Sequence, residues 1–192
     1  MTNAIDGSIA LFSTTGEALF ELLVLAWGPG EEKWVVDWRT VPGDPKLPET
    51  RGALLEALGR KYQHALGVAL PIHATMIDSG GHRTEEVYQF VLAYQARRIA
   101  AIIGRAGLSG KPIVSAPSNK RSGDSPRPVP LYTVNVDDAK ARLLSDLALV
   151  EILPGAGGPG VWHFPSGVDT VDERFVAQLT AEQLVTRRTK AG

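Results

Sequence analysis

Apolar residues fall in short runs through the first forty positions. Ser8 to Ser13, Ala18 to Ala26 and Lys33 to Trp38 have strand length. The segments between them, Thr14-Thr15-Gly16-Glu17 and Gly28-Pro29-Gly30-Glu31, are built from turn residues, so three antiparallel strands in a meander are predicted. Thr40 to Pro48, with three prolines, reads as an irregular crossover. Thr50 can cap a helix in which Leu54, Leu55, Leu58, Tyr62 and Leu66 recur at helical spacing. Pro71 closes that region, and Ile72 to Ile77 predicts a buried strand stopping at Asp78. Ser79-Gly80-Gly81 is a tight turn into a second helix, with Thr84 as its cap and Glu85 and Glu86 suited to the positive helix start. Val87, Phe90, Val91 and Tyr94 form the apolar stripe of that helix, and Ile99 to Ile103 is a further strand. A strand, helix, strand order implies parallel pairing through a crossover.

From Gly104 to Pro130 the chain turns rich in Gly, Pro and Ser, and a flexible basic loop or β-excursion is expected over residues 104–130. Pro130 to Val136 predicts a strand, Asp137 to Leu149 a helix, Pro154 to Gly160 a turn and Val161 to Phe164 a short strand. Thr170 with Glu173 makes a capping box for a helix carrying Phe175, Val176 and Leu179, and Thr180 with Gln183 repeats the pattern. An antiparallel meander, a helix and then parallel strands separated by helices is the order of a ribonuclease H-like α/β fold, a mixed sheet flanked by helices.

Composition narrows the chemistry. With 192 residues, 44% of them hydrophobic, the chain suits one domain with a proper core. A net charge of −1 gives no global field for nucleic acid, so such contact must be local. The absence of cysteine excludes disulfides, thiolate metal sites and cysteine nucleophiles, and the four histidines lack paired metal spacing. The longest apolar run, Leu19 to Trp27, is interrupted by Glu21 and too short for a membrane. No signal peptide is visible, and a soluble, cytoplasmic protein is expected.

Asp78 is the leading candidate for chemistry. A carboxylate at the carboxyl end of a central strand, before glycines and a helix start, stands where open α/β sheets place their ligands. Glycines admit a phosphate backbone closely, and a helix N-terminus favours anions. The plainer reading is that Asp78 organises its own turn. His82 beside it either orients a water or is simply solvated. In the basic segment Arg105, Lys111, Lys120, Arg121 and Arg127 face only Asp124, and Lys111, Lys120, Arg121 and Arg127 are candidates to follow a DNA backbone. Gly104 to Pro112 looks superficially like a phosphate-binding P-loop, but it is one residue too long and Pro112 replaces the metal-holding Ser or Thr, so no ATP site is present there. Asp137 and Asp138, like Asp169, Asp172 and Glu173, are explained by helix starts. Trp27, Trp34 and Trp38 read as sheet packing.

Several segments, taken in order, resemble the nuclease domain of lambda-like phage terminase large subunits. They are Ala26-Trp27-Gly28 with Glu31-Glu32 and Trp34; Val41-Pro42-Gly43-Asp44-Pro45; and Ile77-Asp78-Ser79-Gly80-Gly81-His82. Gly104-Arg105, Lys111-Pro112-Ile113-Val114, Pro130-Leu131-Tyr132 and Val136-Asp137 with Ala139-Lys140 follow. His163-Phe164-Pro165 and Gln178-Leu179-Thr180-Ala181-Glu182 complete the set. The resemblance implies a ribonuclease H-like DNA endonuclease that uses Mg²⁺ or Mn²⁺, two ions about 4 Å apart, to hydrolyse phosphodiesters. It implies double-stranded DNA, a terminase small subunit, a portal and an ATPase domain as partners. Asp78 matches the strand-end aspartate of the family and would be its catalytic and metal-binding carboxylate. The first-strand aspartate of the family falls on Thr14, with Asp6 too far upstream. The third acid belongs to a C-terminal helix with an Asn-Glu-x-x-Asp signature, which is not seen before Gly192. Asp172 also matches a family position but reads as a helix start. A domain over residues 1–192 shortened at both ends, with impaired or absent activity, is therefore expected. The alternatives are a non-catalytic DNA-binding or assembly module and a prophage remnant.

Overall fold

A computed structural model describes residues 7–15, 19–120, 127–149, 157–165 and 173–181, with 7–15 and 19 as backbone only. The meander forms as the apolar runs predict: β1 (Gly7–Thr15) pairs antiparallel with β2 (Leu19–Trp27), and β2 with β3 (Lys33–Pro42). α1 (Pro48–Leu58), a short hairpin of β4 (Lys61–Gln63) and β5 (Ala69–Pro71), β6 (Ala74–Asp78), α2 (Thr84–Tyr94) and β7 (Ile99–Arg105) follow. The chain then makes β8 (Ser118–Lys120), β9 (Val129–Asn135), α3 (Val136–Leu147), β10 (Trp162–His163) and α4 (Glu173–Leu179). Eight strands make one mixed sheet in the order β10-β3-β2-β1-β6-β7-β9-β8. β6 is parallel to both β1 and β7, and β7 to β9, as the strand, helix, strand pattern requires. Among the described residues no helix is long and apolar enough to cross a membrane.

Side-chain alternation on β2 sends its residues to two different cores. Phe20, Leu22 and Val24 face α1 and α2, where Leu54, Val87, Phe90 and Val91 close the main core with Ile77, Ala101, Val129 and Leu131. Each such aliphatic or aromatic side chain taken from water contributes about 1.5–3 kcal/mol. Leu25 faces the other way and packs with Val35, Trp38 and Phe175. A bulge at Val24/Leu25 opposes them to Asp37 and Val35 and leaves Val36 without a partner in the ladder. Asp37, buried beside this bulge, accepts hydrogen bonds from Arg39 and from the Tyr62 hydroxyl at 2.8 Å. Burial, and then the hydrogen bond to Asp37 and its charge, push the Tyr62 hydroxyl well above its ordinary pKa.

Four expectations about local structure need correction. Thr50 does not cap α1; the helix starts at Pro48 after Leu47, following an Asx turn in which Asp44 Oδ1 accepts the Lys46 N–H at 3.0 Å. Thr50 is buried against Gly43, where a Cβ would meet its Oγ1 at 2.2 Å; only glycine fits there, at φ +131°. Tyr62 and Leu66 are not on α1. The helix stops at Leu58 before Gly59, and both residues belong to the β4–β5 hairpin, which turns over His64–Val68. Thr84 does not cap α2 by accepting an amide; its hydroxyl donates to the carbonyls of Ser79 at 2.7 Å and Gly81 at 2.9 Å. Finally, the central strand begins at Ala74 rather than Ile72. The expected Thr170 and Gln183 cap residues, Asp169, Asp172, Arg121 and Asp6 lie outside the described residues.

Candidate active site and nucleic-acid contacts

β6 ends at Asp78 in the middle of the sheet, as its apolar run predicts. The turn after it is fixed from several sides. Both the backbone N–H of Ser79 (2.9 Å) and its hydroxyl (2.8 Å) donate to the Ile102 carbonyl on β7. Gly80 N–H donates to Asp78 Oδ1 at 2.9 Å, and a Cβ on Gly80 would lie 3.1 Å from that oxygen. Asp78 thus organises its turn through one oxygen, while Oδ2 takes no hydrogen bond among the described residues. His82 is exposed in the same loop. Arg83 ties the loop to the Gly43-Asp44 turn, 3.3 Å from Asp44 and 3.8 Å from Glu86, and Lys46 reaches Glu86 at 3.4 Å.

Asp78 opens onto a cavity of about 490 Å³ beneath α3 and α4, lined also by Glu21, Ile102, Leu143, Phe175 and Gln178. Glu21 lines the same cavity, and the reading of the sequence gave it no role. Ser13 pairs with Glu21, and the register Phe12↔Ile77 carries one step further to Ser13 beside Asp78. Glu21, Ser13 and Asp78 therefore stand in one row across β2, β1 and β6, with about 10 Å between the outer two backbones. Thr14 is one residue past that row. Glu21 accepts a hydrogen bond from Gln178 of α4 at 3.0 Å.

A pair of divalent cations does not fit this donor set. Among the described residues no three His, Cys, Asp or Glu side chains gather, and Mg²⁺ and Ca²⁺ demand several oxygen ligands. Asp78 and Glu21 are separated by a strand, and each has one oxygen already engaged.

Of the basic candidates, Lys111 is not brought together with Lys120 and Arg127, and Arg121 lies outside the described residues. Lys111 sits in a turn at the carboxyl end of β9, where Asn135 Nδ2 donates to the Leu108 carbonyl at 3.0 Å and to the Lys111 carbonyl at 3.4 Å. Asp137 accepts the Gly107 N–H at 2.7 Å, so it anchors this turn besides starting α3. Lys120 pairs with Val129 at the other end of β9, and exposed Arg127 lies just beyond it. Six residues of strand, about 20 Å, separate the two ends. Between them the chain runs back along β9, through a bridge at Val114↔Val134 and then β8, which is the β-excursion form of the expected loop.

At the far edge of the sheet, segments about 130 residues apart in the chain meet. Buried Glu32 lies 2.6 Å from His163 Nε2, and Trp34 stacks on the His163 ring at 5.0 Å with planes 8° apart. Gly158 N–H donates to Glu32 at 3.3 Å. Lys33 and Arg142 both reach Asp146, at 3.0 and 2.7 Å, and Arg142 also reaches Glu31 at 2.7 Å. Burial pushes the Asp146 carboxyl up, but the hydrogen bonds from Lys33 and Arg142 outweigh it and hold the group below its ordinary range.

Segments at these places, Glu31-Glu32 and Trp34 with His163, Gly43-Asp44, and 78–82 around the central turn, carry the terminase resemblance. A sequence model of the family described as "Terminase large subunit gpA, endonuclease domain" matches residues 15–192. The chain belongs to this family. The terminase large subunit of Escherichia phage lambda is 31% identical over 170 residues, covering 86% of this chain and 25% of the relative. That of Enterobacteria phage P21 is 31% identical over 166 residues, with the same 86% and 25% coverage. The chain thus spans a quarter of the length of these curated relatives. No solved structure matches it. As a terminase endonuclease-domain chain, it carries the Asp78-Ser79-Gly80-Gly81-His82 turn at the carboxyl end of β6.

Proposed function

We propose that this domain is the DNA-cutting module of a phage terminase large subunit, with a ribonuclease H-like fold and Asp78 as its catalytic carboxylate. We infer further that the isolated chain hydrolyses phosphodiesters weakly or not at all. The observation that carries the reading is the placement of Asp78, at the carboxyl end of the central strand before two glycines and the start of α2. A meander followed by strands parallel to β1 supports the fold. Duplex DNA is the substrate of this reading. The small subunit, the portal and an ATPase domain are its partners in packaging.

In that role the Gly80-Gly81 backbone lets a phosphate approach, and the amides at the start of α2 favour its negative charge. Asp78 Oδ2 is the oxygen able to orient an attacking water, since Oδ1 holds the turn. Weak activity follows from the donor set. Thr14 supplies no anion where the family has one, and Glu21 is held by Gln178. The family's divalent ions would meet too few carboxylates among the described residues to be held as a pair.

The test is nicking of supercoiled plasmid DNA with Mg²⁺ or Mn²⁺. The native chain is expected to give at most trace nicking, abolished by Asp78→Ala. Ser13→Asp, level with Asp78, is expected to raise it more than Thr14→Asp. Robust nicking unaffected by Asp78→Ala would remove Asp78 from the chemistry. Binding of DNA with no nicking by any of these variants would favour the second reading, a non-catalytic DNA-binding module, which the use of Asp78 Oδ1 within its own turn supports.

A further inference from the structure

We propose a second, separate DNA-backbone site at the opposite end of the sheet, built around Arg98 and Arg127. A groove of about 620 Å³ lies there, lined by Met76, Gln95, Arg98, Asn119, Arg127 and Tyr132. Arg98 immediately precedes β7 and Arg127 stands two residues before β9, so both flank the amino ends of strands whose carboxyl ends lie toward Asp78. Ala74 and Met76 line the groove, and Asp78 shares their face of β6 because residues two apart point the same way. Four residues of strand, about 13 Å, separate the levels of Ala74 and Asp78. At 3.4 Å of axial rise per nucleotide, that is about four nucleotides of one DNA strand.

Arg98 is held for this task. It occupies the left-handed region at φ +58°, which is costly for a residue other than glycine. Its N–H donates to the Gln95 carbonyl at 2.9 Å, and its carbonyl accepts the Thr75 N–H at 3.0 Å. Its guanidinium bonds to the His73 ring. Gln95 Nε2 in turn donates to the Pro128 carbonyl at 3.1 Å, joining the end of α2 to the start of β9 across the groove.

Charge identifies the occupant. The stretch from Val87 to Gly123 has no acidic residue; of its cations Arg97, Arg98 and Lys120 lie toward this end, whereas Arg105 and Lys111 lie toward the other end of the strands. Lys120, through its pairing with Val129, is at the same end as Arg98 and Arg127. Like charges gathered at one end repel, and a polyanion relieves that repulsion by releasing its own counterions. The choice of DNA among polyanions rests on the endonuclease reading above.

The experiment is fluorescence anisotropy of a labelled 20-base-pair duplex, titrated with the full chain across a range of NaCl. Arg98→Asn removes the charge while asparagine still tolerates the left-handed backbone. The Arg98→Asn, Arg127→Gln double variant is expected to bind several-fold more weakly, with the slope of log K against log salt reduced by about 1.8, about 0.9 for each lost phosphate contact. Arg98→Lys should keep the native slope, and Arg60→Gln, which removes an equal charge between α1 and β4, should leave it alone. Circular dichroism of each variant checks folding. An unchanged slope in the folded double variant overturns the proposal, as does a native chain with no salt-dependent DNA binding. Plasmid nicking by the same samples, with and without Asp78→Ala, separates failure of this site from failure of the nuclease reading.

Discussion

At the β10 and β3 edge of the sheet, Glu31, Glu32, Lys33, Arg142, Asp146 and His163 meet one another in pairs, and two of the acids, Glu32 and Asp146, are buried. At the β9 and β8 edge, Arg98, Lys120 and Arg127 gather at one end of strands drawn from a stretch of sequence almost without acids. The first arrangement closes its charges inward and ties α3 and β10 to the sheet. The second gathers side chains of one charge, Arg98, Lys120 and Arg127, at one end of the sheet. Charge paired within the protein holds its segments together, whereas charge of one sign gathered at a surface suits a partner of the other sign. The family resemblance runs through both edges, since Glu31, Glu32, Trp34 and His163 belong to it as much as Lys111 does.

The closed edge should break hardest at Glu32. Glu32→Ala leaves His163 Nε2 and the Gly158 amide without that acceptor in a buried place, and about 2–4 kcal/mol of stability should be lost in denaturant unfolding. A loss under about 0.5 kcal/mol would show that the edge is not closed as described. Asp146 comes next: Asp146→Asn should cost about 1–2 kcal/mol at neutral pH. Its carboxyl is held below its ordinary range in the fold, so its contribution is present above the unfolded-state value and lost as pH falls through the lower folded one. Native stability should therefore drop more steeply than that of Asp146→Asn on acidification below about pH 4. Parallel acid profiles would count against the arrangement.

The smallest effects sharpen the contrast. Arg142 and Glu31 are about half and two-thirds exposed, and Glu31→Gln should change stability by no more than about 0.5 kcal/mol. Lys120→Gln on the open edge should be equally silent in unfolding, or slightly stabilising. It should still lower the salt slope of DNA binding by about 0.9. A variant silent in both measurements would remove Lys120 from the DNA-facing set.

Much of the sheet was legible because its strands are buried runs bounded by turn residues. β1, β2, β3, β7 and β9 all fall where apolar runs meet Gly, Pro or Asp. The β4–β5 hairpin was not legible, because Tyr62 and Leu66 continue the helical spacing of α1 by chance. Gly59 was the stop signal that outweighed it. The caps went wrong for a related reason: Thr50 and Thr84 have the chemistry of caps, but tertiary contacts to Gly43 and to the Ser79-Gly81 carbonyls claimed them.

The sequence by itself determined the mixed α/β order, the place of Asp78 and the family, since each rests on local pattern or on ordered short motifs. Only the tertiary structure decided which charges meet. Glu21 looked like an interruption in an apolar run until strand register set it level with Asp78 across Ser13. Lys111 and Lys120 looked like one basic loop until the chain doubled back along β9 and carried them about 20 Å apart. Local pattern is written in neighbouring residues, but register and edge pairing depend on contacts between segments far apart in the chain, and those exist only once the sheet has closed.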